Sequence, residues 1–513
     1  MKRTFARLLK ATAFFALLAA AIIAVSGVLE RKESAAKLDP FFERAQDIDV
    51  LFLGSSHVLG AVYPQELWRD YGIASYNLGS YNDTVPVSYW TLRNALEVCS
   101  PKLVVLDIDG IGYYSKVNEN SSDLHTALDS LPLSRTKLEA IEDLLSDPDA
   151  YDAYGNRYAD LKWEFYFPLS IYHSRWESLT AADLAPQSNA QLGAEMLINV
   201  AEPAEYGIVS DAATETGWGF SYLRRLIEEC AERGIGVLLV NVPYPSVEGD
   251  DQRCSNRVYT IAGEYGVEFV DFVYMDQVVD YSTDCYDPAS HLNPSGARKV
   301  TDYLGQLMSE YYGIEDHRGD PDYAPWDEGY AAYMSLKLQN LREQMDLRSF
   351  LMLLHDSGLS AIISVPGDSA LYRDGNTMQL LQNIGRRHLY DADAYAGVWS
   401  DGLLPLRSLD DAAAQGEAYF AVIDRGTAAD PQNAEAASAA ITEAVGDTDA
   451  TITASFGEVH YRADHSGASL SIDMGGNVID CFDRTADDAS VRIAVIDALT
   501  GELVMVRSFG TGQ

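Results

Sequence analysis

Five short apolar runs, separated by helical stretches, constrain the fold of this chain most strongly. The runs occupy residues 48–54, 73–79, 102–108, 234–243 and 266–272. Short, mainly apolar runs of this length are typical of strands that are buried on both faces of a parallel sheet. Strands that alternate with helices predict an α/β fold with helices covering both faces of the sheet. Because ligands bind at the carboxyl ends of such strands, residues that directly follow the runs are the candidates for function.

The N-terminus predicts a membrane anchor. An uncharged run of 19 residues extends from Ala11 to Leu29. As a helix it would cover about 28 Å, close to the ~30 Å apolar core of a bilayer. Four basic residues precede the run: Lys2, Arg3, Arg7 and Lys10. They favour a cytoplasmic N-terminus and a single-pass membrane protein, with the bulk of the chain extracytoplasmic. A cleaved signal peptide, with a weak site at 24–26, is the alternative.

Charge and cysteine content exclude several kinds of partner and cofactor. The 77 acidic and 37 basic residues give a net charge of -40. Nucleic acids and anionic lipid surfaces attract basic proteins, so neither is expected as a partner. None of the five cysteines forms a CxxC pair, and we expect no metal and no cofactor. Cys254 and Cys285 are close enough in sequence to pair, and a buried apolar role for each is the other interpretation.

Two motifs at the ends of predicted strands carry residues suited to nucleophilic catalysis. The first, Gly54-Ser-Ser56-His, follows the first run, and its glycine permits a sharp turn. A serine nucleophile needs such a turn and an imidazole base, although a serine helix cap would have the same sequence. The second motif runs from Asp287 to Gly296 and contains His291. A histidine with a nearby carboxylate is the base of a serine triad, whereas the Asn-Pro pair that follows favours a plain helix cap.

Together these motifs resemble the SGNH/GDSL superfamily of esterases and acyltransferases over residues 45–315. The segments LFLGSSH, YNLG and SHLNPSGARKVT are most similar to the branch that modifies cell-envelope polymers. That branch includes proteins of teichoic-acid D-alanylation and alginate-type O-acetylation, which share an N-terminal membrane anchor. The resemblance implies a flavodoxin-like three-layer α/β/α domain with a parallel sheet. It also implies roles for four residues: Ser56 as nucleophile, His291 as base, Asp287 as acid and Gly79 as oxyanion donor.

Two positions depart from the family pattern and leave alternatives open. The family acid lies three residues before the histidine, whereas Asp287 lies four before it, so Asp284 is a second candidate. The family's asparagine donor has no match after the third strand, where the sequence reads Asp107-Ile-Asp109-Gly. A carboxylate there would repel a developing oxyanion. Asn82 is the candidate to replace the missing donor.

Between the third strand and the later helix lies an insertion, residues 112–215, without a regular pattern. It contains the aromatic segment 166–176 with His173 and Arg175. Aromatic rings beside a guanidinium suit sugar faces and anionic groups, which makes these two residues candidates for substrate binding in a lid over the cleft. A small core inside the insertion would explain the aromatic residues equally well.

The C-terminal half follows a different rhythm, with a polar connector followed by helices and several strands. Segments 363–370, 419–426 and 491–509 resemble the ILEI/PANDER domain (interleukin-like EMT inducer), which implies a smaller mixed α/β module that binds carbohydrate. The predicted organisation is a basic stub and anchor (1–30), a spacer (31–47), the SGNH-like domain (48–315), the connector (316–345) and the C-terminal domain (346–513).

The sequence therefore predicts an extracytoplasmic serine esterase or O-acyltransferase that acts on acyl groups of a cell-envelope polysaccharide. Hydrolysis and transfer share one acyl-enzyme and differ only in whether water or a sugar hydroxyl resolves it. An open cleft and a membrane-bound acyl-donor partner would favour transfer. The alternative is a non-catalytic glycan-binding or assembly protein that keeps a degenerate SGNH fold.

Overall fold

The computed structural model describes most of the chain. It describes residues 2–510 except 31, 185–188, 205–208, 245–248, 276–277, 358, 385–387, 391–398, 402–405, 426–439, 486 and 498–499. The chain begins with helix α1 (Lys2–Leu29), whose stretch Arg7–Leu29 is long and apolar enough to cross a membrane and is exposed along its length. The predicted spacer contains helix α2 (Lys32–Arg44), which packs Phe41 against Tyr76 of the first domain.

A five-stranded parallel sheet forms the centre of the first domain, as the apolar runs predict. The strands are β1 (Val50–Leu53), β2 (Ser75–Asn77), β3 (Leu103–Asp107), β4 (Gly236–Asn241) and β5 (Glu268–Asp271). Their order across the sheet is β2-β1-β3-β4-β5, and every pairing is parallel. All five carboxyl ends therefore lie along the same edge of the sheet. At this edge Gly54, directly after β1, lies against Asp107 at the end of β3.

Helices cover both faces of this sheet. They are α3 (Ser56–Ala61), α4 (Pro64–Tyr71), α5 (Val85–Ala95), α6 (Ser121–Leu128), α7 (Arg135–Leu144), α8 (Tyr158–Tyr166), α9 (Leu169–Tyr172), α10 (Gly219–Arg233), α11 (Gly249–Tyr265), α12 (Tyr281–Asp284) and α13 (Pro294–Glu310). Alternate residues of each strand enter two separate cores. Leu51 and Leu53 pack with α5, α7, α10 and α11, whereas Val50 and Phe52 pack with α3, α4 and α13. The domain thus has three layers.

The insertion at 112–215, in which no regular sequence pattern is present, contains the four short helices α6 to α9. They build part of the same core, since Leu124, Ile141 and Phe165 are buried in it. Two of the four, α6 and α7, begin at side-chain caps, since Asn120 and Ser134 accept backbone N–H groups of the first turn. Short capped helices of this kind leave little periodicity in the sequence.

The C-terminal half contains two antiparallel sheets and further helices. The helices are α14 (Ala324–Glu343), α15 (Leu347–Ser357), α16 (Gly375–Ile384) and α17 (Arg407–Gln415). The strands are β6 (Ser360–Val365), β7 (His388–Tyr390), β8 (Trp399–Asp401), β9 (Tyr419–Asp424), β10 (Ala440–Val445), β11 (Thr448–Ala454), β12 (Gly457–Asp464), β13 (Gly467–Asp473), β14 (Val478–Thr485), β15 (Val491–Asp497) and β16 (Glu502–Phe509). The sequence predicts a low-complexity stretch rich in Ala, Asp and Glu at 427–448; residues 427–439 of it lie outside the described residues, and the remainder contains β10.

One sheet of this half has the order β10-β9-β6-β15-β16 and the other β11-β12-β13-β14, while β7 pairs with β8. Ile363 and Ile423 of the first sheet pack under α15, α16 and α17. Ile362 and Val422 face the second sheet. The result is a mixed α/β module, in agreement with the predicted class.

A buried ionic cluster joins helix α14 to the first domain. Glu66 of α4 accepts hydrogen bonds from Arg298 at 2.5 Å, Lys337 at 2.9 Å and the Tyr333 hydroxyl at 3.1 Å. Burial alone would raise the pKa of Glu66, but Arg69 and the two other cations outweigh it and hold that pKa well below its ordinary value. The carboxylate therefore stays charged, and the three cations depend on it.

Candidate active site

Ser56 is presented at the end of β1 by a turn that only glycine can make. Gly54 has φ 141°, and a Cβ added there would lie 2.6 Å from the Cβ of Asp107. The next residue, Ser55, caps α3, because its Oγ accepts the His57 N–H at 3.1 Å. The cap interpretation thus applies to Ser55, and Ser56 opens the helix with its hydroxyl free for another partner.

A second turn holds His291 opposite this serine. Cys285 and Leu292 form an isolated antiparallel bridge, and the Tyr286 N–H donates to the His291 carbonyl at 2.9 Å. Immediately afterwards Asn293 caps α13, and its amide donates to the Thr283 carbonyl at 2.8 Å. The loop between α12 and α13 is therefore closed by hydrogen bonds on both sides of the histidine.

The two turns bring Ser56, His291 and Asp287 into a continuous relay. The Ser56 Oγ lies 2.8 Å from His291 Nε2, and His291 Nδ1 lies 2.5 Å from Asp287 Oδ2. Asp287 Oδ1 also accepts the N–H groups of Ala289 at 2.9 Å and Ser290 at 2.6 Å. Burial raises the pKa of Asp287, but these donors outweigh burial and lower the pKa below its usual range. A charged Asp287 keeps the proton on Nδ1, which leaves Nε2 to accept from serine.

Asp284, the other candidate acid, has a different partner. Its Oδ2 lies 2.5 Å from Lys299 Nζ and accepts the Asp280 N–H at 2.8 Å. Both members of the pair are buried. Asp284 thus anchors the loop to α13, and Asp287 is the carboxylate that contacts His291.

The predicted oxyanion donors have other hydrogen bonds in this structure. The Gly79 N–H donates to Asn77 Oδ1 at 3.0 Å. Gly79 nevertheless lies close to the turn that carries Ser56, since a Cβ at Gly79 would lie 3.1 Å from the Ser55 carbonyl oxygen. The Asn82 amide donates to Asp123 at 2.6 Å on the exposed side of its loop. Within the described residues, no acceptor pairs with the Ser56 N–H, which makes it the available donor beside the nucleophile.

Next to the relay lies a second histidine, His57, which belongs to the first motif but had no predicted role. The His57 ring lies 5.5 Å from the His291 ring, nearly perpendicular to it, and 4.9 Å from the Tyr244 ring. Its Nδ1 is buried without a hydrogen bond and lies 3.8 Å from Asp109. Burial lowers the pKa of His57, and Asp109 only partly opposes this. Its position directly after the candidate nucleophile was the signal that could have identified it.

Asp107, which was expected to repel an oxyanion, is buried at the end of β3. Its Oδ1 accepts the Val242 N–H at 3.2 Å, and its Oδ2 is buried without a hydrogen bond. Burial and the neighbouring Asp109 raise the pKa of Asp107 well above its ordinary value. Burial and the Asp109 charge thus both disfavour the charged form of Asp107, which weakens the repulsion expected from a carboxylate at this position.

His173 and Arg175 lie at the junction with α1. His173 is exposed, and its Nδ1 lies 2.8 Å from the Ser170 carbonyl oxygen. Arg175 donates to the Leu29 carbonyl at 2.8 Å and to Asp183 at 2.8 Å. The contacts of Arg175 therefore tie the insertion to the first helix, and they do not bring it to Ser56.

Lys37 of α2 contacts the loop that contains Gly79. Its ammonium donates to the Gly79 carbonyl. Burial lowers the pKa of Lys37 to about 8, against the opposing influence of Asp83 and Glu195. The segment expected to be a spacer therefore supports the loop that contains the candidate oxyanion glycine.

Metal ligands and known relatives give no further guide to function. Among the residues that the structure describes, no group of three histidine, cysteine or acidic side chains could hold a metal ion. All five cysteines are free thiols, including Cys254 and Cys285. No known family model and no curated protein matches the chain. Function must therefore be inferred from the geometry of the site itself.

Proposed function

We propose that this chain is a serine esterase or O-acyltransferase with Ser56 as nucleophile, His291 as base and Asp287 as the acid that orients the base. The observation that carries the proposal is the relay from Ser56 through His291 to Asp287, with distances of 2.8 and 2.5 Å. It lies at the carboxyl edge of a parallel sheet, where ligands bind in such folds. Nucleophile, base and orienting group within hydrogen-bond reach are the geometric signature of covalent catalysis.

In the proposed reaction, the Ser56 oxygen attacks the ester carbonyl while His291 Nε2 takes the hydroxyl proton. The resulting oxyanion accepts a hydrogen bond from the Ser56 N–H. A second donor, the Gly79 N–H, becomes available when its hydrogen bond to Asn77 is exchanged for the oxyanion. As the tetrahedral intermediate collapses, His291 returns the proton to the leaving alcohol, and the acyl group remains on Ser56. Water or a sugar hydroxyl then attacks this ester, with His291 as base, and Ser56 is regenerated.

The strand order supports the proposed membership of the SGNH/GDSL superfamily. An order of β2-β1-β3-β4-β5 in a parallel sheet is that of flavodoxin-like doubly wound folds. Ser56 follows β1, which agrees with the resemblance, since the family's nucleophile lies in the first of its motifs. The ILEI/PANDER-like module would then present carbohydrate to this domain.

Helix α1 supports a position at the cell membrane. We propose that Arg7–Leu29 crosses the bacterial membrane with the basic end inside, so that the rest of the chain is extracytoplasmic. The substrate is then an acylated cell-envelope polysaccharide, and transfer would use a membrane-bound acyl donor.

One observation favours the second candidate, a non-catalytic glycan-binding or assembly protein. The Gly79 N–H and the Asn82 amide are both hydrogen-bonded elsewhere, to Asn77 and Asp123. With the Ser56 N–H alone, an oxyanion would be stabilised by one donor where efficient enzymes use two or more, and each lost donor costs roughly 10²–10³ in rate.

The test is acyl release from an O-acetylated polysaccharide by the full chain in detergent. We expect free acetate, or acetate transferred to an added oligosaccharide hydroxyl, with wild type and neither product with Ser56→Ala. Circular dichroism confirms that both proteins fold. A folded wild type that binds the polysaccharide without releasing or transferring acetate supports the glycan-binding protein and contradicts the esterase.

A further inference from the structure

The C-terminal end of α1 is fixed to the insertion by polar contacts. The Arg175 guanidinium donates to the carbonyls of Leu29, the last residue of α1, and of Glu30, which follows it. The same guanidinium pairs with Asp183 at 2.8 Å. From the other side, the Ser130 hydroxyl donates to the Glu30 carboxylate at 2.7 Å. Charge-assisted contacts on both sides hold the helix end in one orientation against the domain.

Around this end the insertion exposes large apolar side chains. We call residues 163–184 the collar. Trp163 is 68% exposed, Trp176 66%, Leu179 39% and Leu184 72%. Within the collar, α9 and the two short turns 173–177 and 181–184 pack directly against α1. Trp176 and Leu184 lie in the turns that pack against α1, and Trp163 lies on α8, which packs against α9. Together with Leu179 they form an exposed apolar surface that water solvates poorly.

We infer that the collar lies in the interface of the bilayer and surrounds the point where α1 leaves the membrane. The inference rests on the membrane anchoring proposed above. Leu29 ends the apolar stretch and so lies at headgroup depth, and Arg175 holds the collar at that level. Tryptophan favours headgroup depth because its ring is apolar and its N–H is polar. The net charge of -40 gives anionic lipid no electrostatic attraction, so the contact depends on the apolar side chains.

The short connection from α1 through α2 to Gly79 limits how far the candidate catalytic residues can lie from the end of α1. Helix α2 begins two residues beyond Glu30, and Lys37 contacts the Gly79 carbonyl from its second turn. Five residues of helix and one lysine side chain place Gly79 on the order of 20 Å from the end of α1. A collar in the bilayer interface would therefore keep Ser56 close to the membrane surface.

Tryptophan fluorescence provides a direct test, because α1 contains no tryptophan. The full chain is reconstituted in vesicles of phosphatidylcholine or of phosphatidylcholine brominated near the headgroup end of its acyl chains. Bromine quenches indoles that contact the lipid. Trp68, Trp90 and Trp326 are buried in the protein. The seventh tryptophan, Trp399, is replaced with phenylalanine in every protein compared, so that it contributes no signal. Trp218 is 38% exposed, and the Lys116 ammonium lies 4.5 Å from the centroid of its ring. Trp218→Phe is therefore the matched control.

We expect bromolipid to quench the wild type, and Trp176→Phe with Trp163→Phe to remove more than half of the quenched signal. Trp218→Phe should leave the quenched signal as in wild type. A chain that floats with vesicles but shows the same quenching in the double variant contradicts the collar while leaving the anchor in place. A chain that does not float with vesicles contradicts the anchor, and the collar with it. Neither outcome depends on esterase activity.

Discussion

Asp287 contacts His291 Nδ1 at 2.5 Å from a position four residues earlier in the chain. The intervening turn makes this possible, because Asp287 Oδ1 accepts backbone N–H groups from Ala289 and Ser290. These bonds turn the carboxylate toward the histidine ring that follows. The spacing that departs from the family pattern therefore still delivers a carboxylate to the imidazole.

Replacing Asp287 with asparagine should slow ester turnover while leaving the fold intact. An amide can donate to Nδ1, which places the proton on Nε2 and prevents it from accepting from Ser56. We expect kcat/KM for p-nitrophenyl acetate to fall by roughly 10²–10⁴-fold. Steady-state kinetics on the full chain measures the loss. Unchanged kinetics in Asp287→Asn would show that another group orients His291.

Asp284→Asn is the matched control for this change. It leaves Lys299 buried without its 2.5 Å partner, which costs roughly 3–5 kcal/mol of stability. We expect a lower denaturant midpoint and, at temperatures where the variant remains folded, a smaller kinetic effect than in Asp287→Asn. A larger kinetic loss in Asp284→Asn would reverse the roles of the two carboxylates.

Gly54→Ala should destabilise the first domain. An alanine there must adopt φ 141° and place its Cβ 2.6 Å from the Cβ of Asp107, so strain and overlap together cost roughly 2–5 kcal/mol. Gly155→Ala, at φ 82° with open space around its Cβ, tests the backbone strain alone. Denaturant unfolding should separate the two variants clearly. Equal midpoints would show that the approach of β1 to β3 is not tight.

Stability should also depend on pH through Asp271 at the end of β5. Burial raises the pKa of Asp271 to about 6, although Asn241 and the Val273 N–H donate to it. The folded state therefore binds a proton between pH 4 and 6 that the unfolded state, with a pKa near 3.9, has released. The stabilisation is complete below about pH 4 and is lost as pH rises through 6, an effect of about 3 kcal/mol.

Asp271→Asn removes this titration and keeps an acceptor for the Val273 N–H. We expect the variant to gain stability relative to wild type as pH rises from 4 to 7. Thermal unfolding at both pH values measures the difference between the two proteins. A difference that stays constant across this range would mean that Asp271 is ionised in the folded state throughout it.

The sequence predicted the parallel sheet well because its signal is local. A strand buried on both faces requires an apolar side chain at nearly every position, as in Val50–Leu53, and this pattern does not depend on distant residues. All five predicted parallel strands are confirmed, as is the apolar helix at the N-terminus. The edge strand β14 (Val478–Thr485) carries no such apolar run, because only one of its faces is buried and Asp480 and Asp483 are exposed on the other.

Contacts between distant segments could not be predicted in the same way. Lys37 contacts Gly79 and Arg175 contacts Leu29 only because the fold brings these segments together. The apparent spacer is a helix although it contains Pro40, since Phe41 is buried against Tyr76. For the site, motif order pointed to Ser56 and His291. The Asn82 amide is bound by Asp123, which the motifs do not contain, and the bond from the Gly79 N–H to Asn77 within YNLG depends on a side-chain orientation that the motif does not specify.

Labelling of the full chain with a fluorophosphonate tests the central claim most directly. The probe reacts only with a serine whose hydroxyl is activated by a base, and intact mass spectrometry counts the adducts. We predict one adduct on wild type that maps to Ser56, none on Ser56→Ala and strongly slowed labelling of His291→Ala. Ser221→Ala, an exposed serine on α10, should label like wild type. A folded wild type that does not label, or that labels equally in Ser56→Ala, would contradict the assignment of Ser56 as nucleophile.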